Sequence, residues 1–407
     1  MRRALAGGCA LGLATGWNIS NTGAVATSLA SSYGVGLAVV GLFTTALFVT
    51  HAVMQIPGGR ASDRFGGRRM GLLALLWIGC FSGLSMIAPL AGVAIVTRAL
   101  TGLGTGLSFI AGSAYVRASG GSPAAQGLFG GFGLAGGGLA LAVVPQVESW
   151  IGWRAPYATS VAVAFAGLAV LAAAPPDPPG RRAERHERPR TSIVLDRGLY
   201  RVATVFAASL GLSITVGNWV VTLLERHGGL AKGPAGLIGS LTLVLGVVTR
   251  PLGGWILREH PGEVRRAVAL SLVGGAVGTA LLAAARPTVL AVAGAALIGI
   301  AAGIPFSPSF TGPAVVRPDA PAAAVGFVNA AGAVAILVCT PLLGLAFSLP
   351  GDGRAGFAVV SALWLLALAA LPTARQYGAY PDSERTAARM ISAASAASAG
   401  EASSSGE

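Results

Sequence analysis

The sequence predicts an all-α polytopic membrane protein, with about twelve transmembrane helices in two pseudo-symmetric six-helix halves. Three observations carry that expectation. Of 407 residues, 54% are hydrophobic and only 11% are charged, and the mean hydropathy is +0.71, more apolar surface than a soluble domain can bury. The apolar residues come in continuous runs of roughly the 20 residues that a bilayer core requires, without the strict alternation of a membrane β-barrel. The chain also repeats itself. Gly58-Gly59 returns as Gly253-Gly254 and Gly131-Phe132 as Gly326-Phe327, both 195 residues on, while Pro145 and Pro341 are 196 apart and Gly102 and Gly299 are 197 apart. A parallel repeat of that length is one six-helix unit used twice, with a solute site expected between the copies.

Taken in order, the expected spans are 4–28, 37–57, 70–89, 91–116, 126–147 and 154–174, then 198–223, 234–257, 267–285, 288–311, 322–347 and 354–372. Residues 1–174 form the first half and 198–372 the second. The segment 175–197 between them, rich in Pro, Arg and Glu, reads as a solvated linker, and 373–407, rich in Ser, Ala and Glu, as a disordered tail. The glycine-rich stretch Gly130–Gly138 lies inside the fifth span with no strand before it, so it is a close-packing helix face and not a nucleotide loop.

The net charge of +13 does not mark a nucleic-acid binder, because the basic residues are spread through short connections. With both termini, the linker and the tail on the cytoplasmic side of the cell membrane, 21 of the 28 Lys and Arg residues fall inside, five fall outside and two, Arg98 and Arg250, fall within spans. That is the positive-inside pattern. Met1-Arg2-Arg3 followed by an apolar run imitates a signal peptide and is read as the start of an uncleaved first helix. Cys9, Cys80 and Cys339 lie in apolar runs without metal spacing or an evident disulfide mate. No metal, cofactor or enzymatic chemistry is expected, and there is no Walker motif for direct coupling to ATP.

Between the second and third runs lies Gly58-Gly59-Arg60-Ala61-Ser62-Asp63-Arg64-Phe65-Gly66-Gly67-Arg68-Arg69, four arginines and an aspartate in a dozen residues. Gly58-Gly59 could end a helix sharply, and Gly66-Gly67 could reverse the chain. The pattern Gly-x-x-x-Asp-Arg-x-Gly-x-Arg-Arg resembles the loop signature of the major facilitator superfamily. The resemblance implies that Gly59, Asp63, Arg64, Gly66, Arg68 and Arg69 form a gating motif. Asp63 is expected to hold neighbouring arginines or the N-terminus of a facing helix, favouring the outward-open state. A worn second copy, Arg258, Gly262, Arg265 and Arg266, lacks the aspartate.

No Asp or Glu lies deep in any expected span, which argues against a cation pump and for a neutral or anionic solute. An arginine at bilayer depth is costly and generally faces a wet cavity, so Arg250 and Arg98 are candidate solute contacts. Arg250 could also snorkel to the inner face, and Arg98 could bond helix-end carbonyls. His51 and Gln55 are one helical turn apart, and His51 suits either proton coupling or hydrogen-bonded packing. Asn21 and Asn218, repeat mates 197 residues apart, are candidate cavity groups or interhelix hydrogen-bonders.

Arg250-Pro251-Leu252-Gly253-Gly254, the absent membrane carboxylates and Gly326-Phe327-x-x-Ala330-x-Gly332 resemble the nitrate/nitrite porter branch. That branch implies two anion-binding arginines at repeat-related places, and the mate of Arg250 here is Gln55; Leu134 stands among the fifth-span glycines where the branch carries asparagine. Arg98 to Gly104 resembles the fourth-span motif of exporters, with Thr101 where Gln is common, but the fifth span lacks their Gly-Pro pair. The expected function is a secondary active transporter of a small solute, anionic by this reading, with a proton or counter-anion as candidate coupling partner and the lipid bilayer as its surroundings. A drug or hydrophobic-compound efflux permease is one alternative, and a non-transporting receptor or scaffold of the same fold is another.

Overall fold

The structure, a computed structural model, describes residues 2–121, 123–177, 196–284, 286, 288–318 and 321–379. The first half contains α1 (Arg2–Ser20), the short α2 (Ala26–Tyr33), α3 (Leu37–Phe65), α4 (Gly67–Leu84), α5 (Ala91–Ala118), α6 (Pro123–Ile151) and α7 (Ala155–Ala172). The second contains α8 (Arg197–Phe206) and α9 (Ser213–Arg226), joined by a π-helical turn, then α10 (Lys232–Val244) and α11 (Gly246–Glu259). It continues through α12 (Val264–Ala284), α13 (Thr288–Gly303), α14 (Phe306–Val316), α15 (Pro321–Ala346) and α16 (Arg354–Leu366). Among the described residues these group into twelve helical passes. Eight helical runs are long and apolar enough to cross a membrane by length and composition, one of them, 125–172, containing both α6 and α7.

Two expected boundaries move. The first span is broken: α1 stops at Ser20 and a 3₁₀ turn, Gly23–Val25, leads into α2. The break brings Gly23 so close to the Asn218 backbone that a Cβ there would collide with it. The second span does not end at Gly58-Gly59. Helix α3 runs on to Phe65, because Gly58 packs against Leu107 of α5 and tertiary contact outweighs weak propensity. The reversal falls on Gly66, whose φ of +92° is a conformation that favours glycine.

The repeat is visible in contacts. Gly102 on α5 lies against the Leu47 carbonyl of α3, and its mate Gly299 on α13 lies against the Leu241 carbonyl of α10. The glycine face of α6 serves both halves: a Cβ at Gly136 would strike the Leu13 carbonyl of α1, and one at Gly138 would come within 2.7 Å of the Val244 nitrogen of α10. Helix α6 is therefore one element through which the second half leans on the first; α3 is another, with Gly41 against Pro341 of α15. Packed structure extends past 372, since Arg375–Tyr377 form a 3₁₀ turn with Tyr377 fully buried. Burial pushes the Tyr377 hydroxyl pKa up. The expected linker and tail otherwise lie almost wholly outside the described residues.

Candidate functional site

Arg250 lies on α11 where it meets α6, and its side chain is buried at 3% exposure. One guanidinium amino group donates to the Gly130 carbonyl of α6, 2.5 Å away in the other half. The guanidinium carbon stands 3.7 Å from the centre of the Phe306 ring of α14, a cation–π arrangement that a desolvated arginine gains from most. Its Nε has no hydrogen-bond partner, and among the described residues Arg250 makes no ion pair. A buried guanidinium with an unpartnered donor and no counter-charge has the chemistry to receive an anion.

Phe306 belongs to a cluster of rings in the second half, and a separate ring series lies in the first. Phe306 stacks with Phe310 at 4.5 Å and faces Phe206 at 6.2 Å. In the first half Phe129, next to Gly130, lies 5.2 Å from Phe109, which lies 6.3 Å from His51. The His51 Nδ1 is 3.1 Å from the Thr105 hydroxyl, so the imidazole is tied to α5 and closes one end of the aromatic series. Gln55, a turn further along α3, has a buried Nε2 with no hydrogen-bond partner. The sequence offered no means of finding Phe306 or the Gly130 carbonyl, because ring stacking and a backbone oxygen leave no motif.

Arg98 is placed differently. It is 1% exposed, donating to the Asn18 carbonyl at 2.5 Å and to the Asn21 side-chain oxygen at 3.3 Å. Asn21 donates in turn to the Pro156 carbonyl and the Ser160 hydroxyl, each at 2.8 Å, and Ser160 donates to the Asn18 side chain at 2.9 Å. Arg98 and Asn21 thus join α5, α1 and α7 in a bracing network within one half, while the Arg98 Nε, like that of Arg250, has no hydrogen-bond partner. Asn218 faces the other half: its side-chain oxygen accepts from Thr44 at 3.3 Å. Around it Gly23, Gly41, Thr44, Trp219 and Thr340 close a gap too narrow for a water molecule.

The charged turn also departs from expectation. Asp63 sits exposed in the last turn of α3 beside Arg64, whose guanidinium lies 5.0 Å from the Phe65 ring. The carboxylate that caps a helix here is Asp177, which accepts from the Arg68 amide at 2.8 Å and the Arg69 amide at 3.4 Å, at the N-terminus of α4. The Arg68 guanidinium reaches the Leu171 and Ala172 carbonyls at 3.1 and 2.7 Å, at the C-terminus of α7. Arg69 lies in the same turn, whereas Gly59 lies inside α3 near Ile110. Asp177 closes the turn because it follows α7, whose C-terminus lies beside Gly66, a proximity that sequence distance conceals.

At the opposite end of the bundle, the Trp153 face, charged and hydroxyl groups join the halves. Lys232 of α10 is paired with Glu148 of α6 at 3.1 Å, and Thr27 of α2 donates to Glu225 of α9 at 2.9 Å.

Comparison with known proteins settles the lineage of this arrangement. The profile described as Major Facilitator Superfamily matches residues 8–338. The chain belongs to the major facilitator superfamily. Within it, the chain is 28% identical over 335 residues to a protein of Mycobacterium tuberculosis named as a probable nitrate/nitrite transporter, NarK2, covering 77% of this chain and 79% of that one. The fold is similar to that of the nucleoside transporter NupG, with a TM-score of 0.66 and 13% identity over 94% of this chain and all of that one. It is also similar to the human organic anion transporter MFSD10, with a TM-score of 0.65 and 18% identity over 91% and 99% of the two chains. The protein is a multi-pass membrane transporter and not an enzyme.

Proposed function

We propose that this superfamily member moves a small anion across the cell membrane by alternating access, with Arg250 as its principal solute contact. The observation that carries the reading is the Arg250 guanidinium, buried between the halves, bonded across to the Gly130 carbonyl at 2.5 Å and lacking an acidic partner. An entering oxyanion would take over the donors now given to Gly130. That exchange removes a bond between α11 and α6 as the solute binds, so binding energy is spent on freeing the halves. Gln55, the repeat mate of Arg250, would give its unpartnered amide to the same anion, and His51 would bound the site through Thr105. The named nitrate/nitrite relative supports this substrate class, while Gln55 in place of a second arginine points to an anion of lower charge density or larger size than nitrate.

The Gly66 face is assigned to the cytoplasm by the distribution of arginines. With the Trp153 face tied shut, Asp63 is free of a helix partner; when the Gly66 face closes, it would dock on the facing half and hold that state. A second reading, efflux of hydrophobic compounds, is favoured by the Phe306 ring on the guanidinium and by Phe310 stacked against it.

Thermal unfolding of the purified protein across a panel of small anions and hydrophobic compounds separates the two. A ligand at a hundredfold excess over Kd stabilises by about 2.7 kcal/mol, so one anion should raise the midpoint in the parent and not in Arg250→Gln. Stabilisation by neutral or cationic hydrophobic compounds alone would put the efflux reading in its place.

A further inference from the structure

The charged groups on the Trp153 face belong to no part of the solute site, and they bridge the halves. The Lys232 ammonium lies 3.1 Å from both carboxylate oxygens of Glu148 and also donates to the Ser28 hydroxyl. Ser28 donates to Glu148 at 2.8 Å. Glu225 accepts from Thr27 at 2.9 Å and lies within electrostatic reach of both Lys232 and Glu148. Glu148, Ser28 and Thr27 belong to the first half, Lys232 and Glu225 to the second.

Both second-half groups stand where helix electrostatics disfavours them. Lys232 is the first residue of α10 and Glu225 is in the last turn of α9, a cation at a positive helix end and an anion at a negative one. Each is therefore held by its partners across the boundary. Lys232 is also the single lysine among 28 basic residues. An ammonium on a flexible stem rotates its donors between partners more readily than a planar guanidinium.

Parting the halves at this face would take Lys232 from Glu148 and Ser28, and Glu225 from Thr27. The freed cation and the freed anion stay on the same half, joined by the short connection between Arg226 and Lys232. We propose that this cluster is the gate of the Trp153 face and that it opens by partner exchange, Lys232 passing from Glu148 to Glu225. The proposal rests on the two-state motion read above and not on the identity of the solute. Exchange replaces one ion pair with another, which keeps the closed and open states close in energy, as a transporter requires.

The test is a distance distribution by pulsed electron paramagnetic resonance on the full chain in lipid nanodiscs, with Cys9, Cys80 and Cys339 replaced by alanine. Spin labels at Ser149 and Leu349, both exposed, report the separation of the halves at this face. Glu148→Gln should raise the ratio of long to short distances roughly three- to fivefold, the scale of a part-exposed ion pair. Adding Glu225→Gln should reverse that rise, because the open state then loses its lysine partner, while glutamine still accepts from Thr27. If Glu225→Gln leaves the rise unchanged or increases it, the cluster is a simple latch and exchange is overturned. Two distances in the parent that ignore Glu148→Gln would overturn the gate alone. A single distance in the parent and every variant would overturn the two-state motion and the gate together.

Discussion

Arg98 and Arg250 were equivalent in the sequence, two arginines in apolar runs, and differ in the structure by what surrounds them. Both leave a buried Nε without a partner, but the amino groups of Arg98 donate to Asn18 and Asn21 of its own half, whereas Arg250 reaches across to Gly130 under the Phe306 ring. Arg98→Met should therefore lower stability by about 1–3 kcal/mol through orphaned buried acceptors, read as a fall of several degrees in the unfolding midpoint. Arg250→Met should leave that midpoint within about 1 kcal/mol of the parent, losing one interhalf bond, and abolish the stabilisation by ligand. At the proposed solute site Phe306→Leu keeps an apolar side chain but removes the ring face, and should weaken anion binding several-fold by letting the guanidinium seek other partners, a loss of about 0.5–2 kcal/mol. Sequence could find Arg250 because charge at bilayer depth is rare. It could not find what Arg250 touches, because Gly130 and Phe306 are 120 and 56 residues away and carry no chemical signature.

At the scale of elements, the reversal at Gly66 was legible because only glycine tolerates its φ of +92°. The helix end at Gly58-Gly59 was misread because Gly58 serves close packing against Leu107 and not a turn. The carboxylate that caps α4, Asp177, was not legible, because it is distant in sequence and near only in space. Asp177→Ala should cost about 0.5–2 kcal/mol as a lost helix cap and speed amide exchange at Arg68 and Arg69, whereas Asp63→Asn should leave that exchange unchanged. Asp63→Asn should instead reduce transport with insertion intact, if the docking proposed for it in the opposite state holds. The α1–α6 contact gives a packing test. Gly136→Val drives a side chain into the Leu13 carbonyl and should cost on the order of 1–3 kcal/mol, seen as loss of monodisperse protein. Gly92→Ala, with nothing within 4 Å of the new methyl, should behave as the parent.

For the whole molecule, twelve passes and a two-fold repeat were readable because hydropathy and the 195-residue offset are properties of the chain and need no contacts. The way the halves lean on each other was not, since Glu148, Lys232 and Glu225 look in sequence like three separate loop charges. Reporter fusions at residue 185 and at the C-terminus should both give a cytoplasmic signal if the arginine distribution has set the orientation. The central claim is that an anion is carried between the halves on Arg250. Its most direct test is uptake of the stabilising anion by proteoliposomes holding either the parent or Arg250→Gln at equal density. The parent should accumulate the anion and Arg250→Gln should fall to the rate of empty vesicles, while Arg250→Lys keeps a small residue because it has the charge without the planar donors. Equal uptake by the parent and Arg250→Gln would contradict the account.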